Sequence, residues 1–108
     1  MKGFGGGGLQ AIMKQANQMQ LKMKKLQEEL ATREFTGGAG GDALTVTVNG
    51  SMQLVKVIVK PDVMAAGDAE MLQDLILAAT NEALKTAKTT SDQEMQKITG
   101  GMNMPGLF

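Results

Sequence analysis

Residues 9–34 contain neither glycine nor proline and are rich in Gln, Lys, Met, Leu, Glu and Ala, and this unbroken stretch constrains the fold more than any other part of the chain. Those residue types favour helix, so one continuous helix is predicted there. Apolar side chains fall at Leu9, Ile12, Ala16, Met19, Met23, Leu26 and Leu30, in alternating steps of three and four, and Arg33 takes the next position. That spacing is the a/d seam of a heptad, narrower than the apolar face of an ordinary globular helix. At a rise of about 1.5 Å per residue the helix is about 39 Å long, more than a domain of this size is wide, so part of it must project. A projecting seam needs a partner, and Leu9, Ile12, Met19 and Met23 are the candidate contacts of a homodimer.

The charge of the chain is zero overall but unevenly placed. Residues 1–33 carry six basic side chains (Lys2, Lys14, Lys22, Lys24, Lys25, Arg33) against two acidic ones (Glu28, Glu29), a net +4, and the remainder carries −4. A partner bearing phosphates would meet the basic character in the first third of the chain. In the heptad, Lys14 falls at f, Lys22 at g, Lys24 at b and Lys25 at c, all directed away from the seam. Charge alone favours a solvated helix face. Glu28 and Glu29 also stand within helix-pair spacing of Lys24 and Lys25, which would partly neutralise them.

Cysteine and histidine are absent. This removes disulfides, thiolate and imidazole metal ligands, and the commonest nucleophile and general base. Adjacent carboxylates such as Glu28 and Glu29 diverge on a helix, with no third ligand converging, and are read as surface charge. No enzyme, cofactor, metal or small-molecule substrate is expected. Residues 1–8 are glycine-rich without an apolar core, so they are read as a flexible arm rather than a signal peptide, and a cytoplasmic protein is expected. A phosphate-binding glycine loop would need a preceding strand and a Gly-Lys-Ser/Thr continuation, whereas Leu9-Gln10 follows here. No apolar run reaches the roughly 20 residues that span a bilayer, so no membrane partner is expected.

The glycine-rich segment 36–42 ends the first helix and reads either as a turn or as a glycine-weakened edge strand. Leu44, Val46 and Val48 then alternate with Thr45 and Thr47, Asn49-Gly50 suggests a two-residue hairpin turn, and Val55, Val57 and Val59 alternate on the return. Leu54 and Ile58 fall on the other face of that strand. Both of its faces are thus partly apolar, and Leu54, Val55 and Ile58 are candidate subunit contacts. A helical turn at 62–66 is closed by Gly67, and Asp68 is placed to cap a second long helix. Met71, Leu72, Leu75, Ile76, Ala79 and Ala83 form its main stripe, which Leu77 and Leu84 widen enough to predict heavy burial of the middle turns. Thr89-Thr90-Ser91 are weak helix formers, so continuity beyond Lys88 is open, and residues 100–108 read as a disordered tail. One domain, residues 9–99, is expected between arm and tail.

Taken in order, Met13-Lys14-Gln15-Ala16, Gln18-Met19-Gln20, Lys22-Met23, Leu26-Gln27-Glu28-Glu29, Thr36-Gly37, Val46-Thr47-Val48-Asn49-Gly50, Pro61, Glu70-Met71-Leu72-Gln73-Asp74-Leu75, Gly101-Met102 and Pro105-Gly106 resemble the YbaB/EbfC family of bacterial nucleoid-associated proteins. The resemblance covers nearly the whole chain. It implies an α+β fold with an α-β-β-β-α protomer, a homodimer with protruding helices, a first strand at residues 35–38, and binding of double-stranded DNA without enzymatic activity in the nucleoid. Family members often carry polar residues where Val55 and Ile58 stand here.

With that resemblance, Lys14, Lys22, Lys24, Lys25, Arg33, Lys85 and Lys88 become the candidate DNA contacts, the lysines acting as point charges on phosphates. Aromatic stacking side chains are scarce, which disfavours a single-strand platform. Arg33 is the single arginine able to grip guanine bidentately, so base readout is weak and any sequence preference would come from DNA shape. The rival is a protein-binding adaptor whose heptad seam takes up a different helical protein.

Overall fold

The computed structural model describes residues 2–100, with side chains placed from Gly8 onward. The elements run α1 (Lys2–Thr32), β1 (Glu34–Ala39), β2 (Leu44–Asn49), β3 (Leu54–Val59), α2 (Pro61–Ala65) and α3 (Ala69–Gly100), an α+β chain in the expected order. The backbone of α1 continues through residues 2–8, where composition argues for a flexible arm. A nucleated helix gains one hydrogen bond per added residue, so it can be extended through glycine at a cost of about 1 kcal/mol each relative to alanine. The helix closes at Thr32, where the Arg33 amide donates to the Leu30 carbonyl at 3.1 Å before β1 begins.

The strands form an antiparallel sheet in the order β1-β2-β3. The segment 36–42, open between turn and strand, is both: residues 36–39 complete β1, and Gly40, Gly41 and Asp42, all at positive φ, turn the chain into β2. Helix α3 packs on β1 and β2, and the core is Leu30, Phe35, Leu44, Val46, Val48, Ala79, Ala83 and Ala87. The alanines stand four apart and give α3 a flat face. Gly37 lies against that face so closely that a Cβ there would overlap the backbone of Ala79 and Ala83. The glycine that weakens β1 as a strand is what lets the helix approach it.

A helix is about 10 Å across with side chains and neighbouring strands are about 4.8 Å apart, so one helix covers roughly two strands. β3 is the third strand and stays exposed along Leu54, Val55, Val57 and Ile58. On the helix side, Ile76 and Leu77 are exposed as well. The heavy burial predicted for the middle turns of α3 is met by Leu72, Leu75, Ala79 and Ala83 but not by these two residues.

Two local features depart from simple alternation. The hairpin turn is longer than Asn49-Gly50: the Met52 amide donates to the Asn49 carbonyl at 2.9 Å, Asn49 donates to the Gln53 carbonyl at 2.9 Å, and Met52 takes the left-handed conformation at φ 63°. The Asn49 Oδ1 accepts from the amides of Ser51 and Gln53 at 2.9 and 3.1 Å, so asparagine holds the turn with its side chain. Gly50 matters for another reason, since a Cβ there would run into the Leu30 carbonyl at the end of α1. Second, the β2–β3 register pairs Thr47 with Lys56 but Val48 with Leu54, leaving Val55 as an extra, bulged residue. The bulge moves Leu54 to the same face as Val57 and Val59, towards α3, where alternation placed it with Ile58 on the opposite face.

Helix α3 runs unbroken to Gly100, past the weak Thr89-Thr90-Ser91 stretch. Its last turns lie beside the C-terminal half of α1: Gln27, Leu30 and Ala31 share a groove with Lys88, Ser91 and Met95, and Met19, Met23 and Leu26 are half-buried. This antiparallel pair forms an arm that makes the molecule 78 × 25 × 16 Å, with a radius of gyration of 21.4 Å, against about 13 Å for a compact domain of this length. The expected tail at 100–108 lies outside the described residues after Gly100.

Candidate nucleic-acid interface

The basic residues of α1 occupy the side away from its apolar seam. Counted at about 100° per residue, Lys14 and Lys25 stand nearly opposite the seam, and Lys22 and Lys24 flank it on either side. All four are exposed. Lys14 and Lys25 are about 17 Å apart along the helix axis. The neutralising pairs with Glu28 and Glu29 do not form. Among the described residues the ion pair within 4.0 Å is Lys97 with Glu94, at 3.2 Å on the solvent side of α3.

Arg33 lies beyond the end of α1 rather than on its seam. It is exposed, and its guanidinium carbon stands 5.4 Å from the centroid of the Phe35 ring. That stacking orients the guanidinium while leaving its donors free. On α3, Lys85 and Lys88 are exposed. Lys88 lines the groove with Gln27, Leu30, Gly50 and Ser51, which brings it next to the C-terminal turn of α1. The structure thus gathers the α1 lysines on one helix and sets Lys88 beside its root.

The candidate subunit contacts divide. Leu54, Val55 and Ile58 lie on the edge strand, between 46% and 53% exposed. Leu54 also lines a shallow groove with Gln73, Ile76, Leu77 and Thr80, in which the Thr80 hydroxyl is buried without a hydrogen-bond partner. Ile76 and Leu77 were not legible as surface residues, because their helical stripe looks the same whether or not a strand lies opposite. Along α1, Met19 and Met23 are half-buried, whereas Leu9 and Ile12 are 59% and 64% exposed. Lys56 on β3 and Lys60 just after it are exposed as well.

Among the described residues no group of three or more acidic side chains converges as a metal site, and no helix is long and apolar enough to cross a membrane. The arrangement offers point charges on a projecting helix and apolar surface at a sheet edge. It is that of a small α+β binding protein whose basic groups face outward along an arm.

Comparison with known proteins gives that class a family. The family model described as the YbaB/EbfC DNA-binding family matches residues 5–102, and the chain belongs to this family. A nucleoid-associated protein of Clostridium novyi is 52% identical over 98% of this chain and 94% of its own length. A nucleoid-associated protein of Clostridium kluyveri is 50% identical over 97% of this chain and 93% of its own length. Among solved structures, an uncharacterized protein from Helicobacter pylori superposes with a TM-score of 0.59 at 22% identity, covering 72% of this chain and 90% of the other. That likeness confirms the fold.

Proposed function

We propose that this protein is a nucleoid-associated protein that binds duplex DNA as a homodimer, through contacts to the phosphate backbone, and so shapes chromosome organisation and gene expression in the bacterial cytoplasm. The observation that carries the reading is the set of exposed lysines on α1, free of ion pairs with Glu28 and Glu29, in a chain of a DNA-binding family. Lysine on a flexible stem neutralises a phosphate without reading a base, and counterion release supplies the affinity. Lys14, Lys22, Lys24 and Lys25 act along the arm, and Arg33, Lys85 and Lys88 at its root. No chemistry, cofactor or small-molecule substrate enters this function. The relatives named nucleoid-associated support the same placement in the cell.

The second copy sits at the edge of the sheet, on Leu54, Val55 and Ile58 with Ile76 and Leu77. An unpaired strand edge flanked by exposed apolar side chains is a template for strand or side-chain contact with another chain. Met19 and Met23 then steady the arm against α3 in the same protomer.

A salt-titrated gel shift on several unrelated duplexes and on single strands tests the reading. If about six phosphates are neutralised per dimer, log affinity falls with log salt at a slope of about −5. Changing Lys22, Lys24 and Lys25 together to Gln is expected to reduce that slope and weaken binding alike on all duplexes. A slope near zero, or a triple variant with unchanged binding, would remove α1 as the DNA-contacting element.

A further inference from the structure

Among the described residues, the large apolar side chains that α1 exposes are Leu9, Ile12, Met13 and Leu21. The first three lie on or beside the apolar seam. Leu21 is 67% exposed and, counted at about 100° per residue, stands about 170° from the centre of that seam. A helix packed on the seam, from the same protomer or another, does not reach it.

The surroundings of Leu21 suit a partner that carries phosphates. Its helical neighbours at three and four residues are Asn17, Gln18, Lys24 and Lys25, all exposed. Lys14 lies about two turns earlier on the same face, and no acidic residue precedes Glu28, which makes this the longest stretch of the chain without a carboxylate. A single exposed leucine on a mixed surface needs no explanation. A leucine at the centre of a wholly basic and amide-bearing face has a specific use.

Lys14 and Lys25 are about 17 Å apart along the axis, and Gln18 and Leu21 stand between them, one on each side of the line that joins the two lysines. The major groove of duplex DNA is about 12 Å wide and admits an α-helix. With their flexible stems the lysines reach the phosphates of the groove walls, while Gln18 and Leu21 are aimed at its floor. There an A·T pair shows adenine N7 and the N6 amino group, which a glutamine amide matches with one donor and one acceptor, and the thymine C5 methyl, on which an apolar side chain packs. The minor groove offers neither feature.

On the reading of this protein as a duplex-DNA binder, on which this depends, we propose that α1 enters the major groove and that Leu21 and Gln18 contact A·T pairs there, Leu21 on the thymine methyl and Gln18 on adenine N6 and N7. The lysines supply the bulk of the affinity without regard to sequence, and these two side chains add a preference for A·T.

A duplex in which uracil replaces every thymine keeps its phosphates and its base pairing and loses the C5 methyls. In gel shifts at fixed salt, the full-length protein is expected to bind the thymine duplex roughly fourfold or more tightly than the uracil duplex, the worth of one buried methyl. Leu21→Ala, which keeps a strong helix former on an exposed face, is expected to bind the two duplexes alike. Any effect of uracil on duplex shape acts on both proteins, so a thymine preference that Leu21→Ala retains would overturn the proposal, as would equal binding of the two duplexes by the unaltered protein. In either case a salt slope of about −5 would leave the backbone reading standing, whereas failure to bind any duplex would remove both. A second measurement leaves Leu21 in place. Replacing adenine by 7-deazaadenine, which lacks the N7 acceptor, should weaken binding of the unaltered protein and leave Gln18→Ala indifferent, and equal losses in the two proteins would overturn the adenine contact.

Discussion

β2 and β3 are neighbours of equal length, yet they have opposite fates. β2 (LTVTVN) alternates apolar and polar residues, and its Leu44, Val46 and Val48 are completely buried. β3 (LVKVIV) is more apolar, with a single lysine, and Leu54, Val55, Val57 and Ile58 are all about half exposed. Hydrophobicity therefore does not decide burial here. Position relative to α3 does, because the helix reaches across β1 and β2 and no further. The more apolar strand is left for another molecule.

The comparison can be broken most severely at β2. Val46→Asp places a charge in a dry site with no partner, which is expected to cost more than about 4 kcal/mol and to abolish cooperative unfolding followed by circular dichroism. The same kind of change on β3, Ile58→Asp, should leave helical content intact, and a variant that unfolds would show that β3 belongs to the protomer's own core.

Gly37→Ala probes the reason for the asymmetry, the close approach of α3 to β1. Forcing a methyl against the Ala79 and Ala83 backbone is expected to cost about 2–3 kcal/mol, read as a lower denaturant midpoint with unchanged slope. A change within 0.5 kcal/mol, roughly the scatter of neutral surface variants, would mean that α3 is free to shift.

Leu54→Ser with Ile58→Ser tests what covers β3. Loss of central apolar anchors is expected to weaken the dimer by about 2 kcal/mol, roughly 30-fold in dissociation constant, measured by sedimentation over a concentration series. Equal dimer stability would move the contact away from the sheet edge.

The smallest effect is expected at the turn joining the two strands. Asn49→Ala removes two side-chain acceptor bonds from an exposed site and should cost about 1 kcal/mol. A much larger loss would show that β3 is held mainly by its turn.

The sequence made the helices and strands legible where the signal is local. Glycine-free residues 9–34, the alternation over Leu44–Asn49, and Asp68 ahead of α3 each announce themselves, and the Asp68 carboxylate caps the Met71 amide at 3.0 Å. Asn49-Gly50 marked the hairpin correctly but for a partly different reason, since Gly50 is required by the nearby Leu30 carbonyl rather than by a two-residue turn. The bulge at Val55 was not legible, because pairing register depends on the partner strand. For the candidate site, the lysines of α1 were readable as a face, but the absence of ion pairs with Glu28 and Glu29 was not.

Local periodicity and charge placement are properties of the chain itself, so the sequence alone determined a long helix with its apolar seam on one side and its lysines on the other. Which apolar surfaces are covered depends on the reach of one helix over a three-stranded sheet and on where α3 lies against α1. The tertiary structure alone divided the seam at Met19 and exposed β3, because burial needs an opposing surface at packing distance and no residue carries that information by itself.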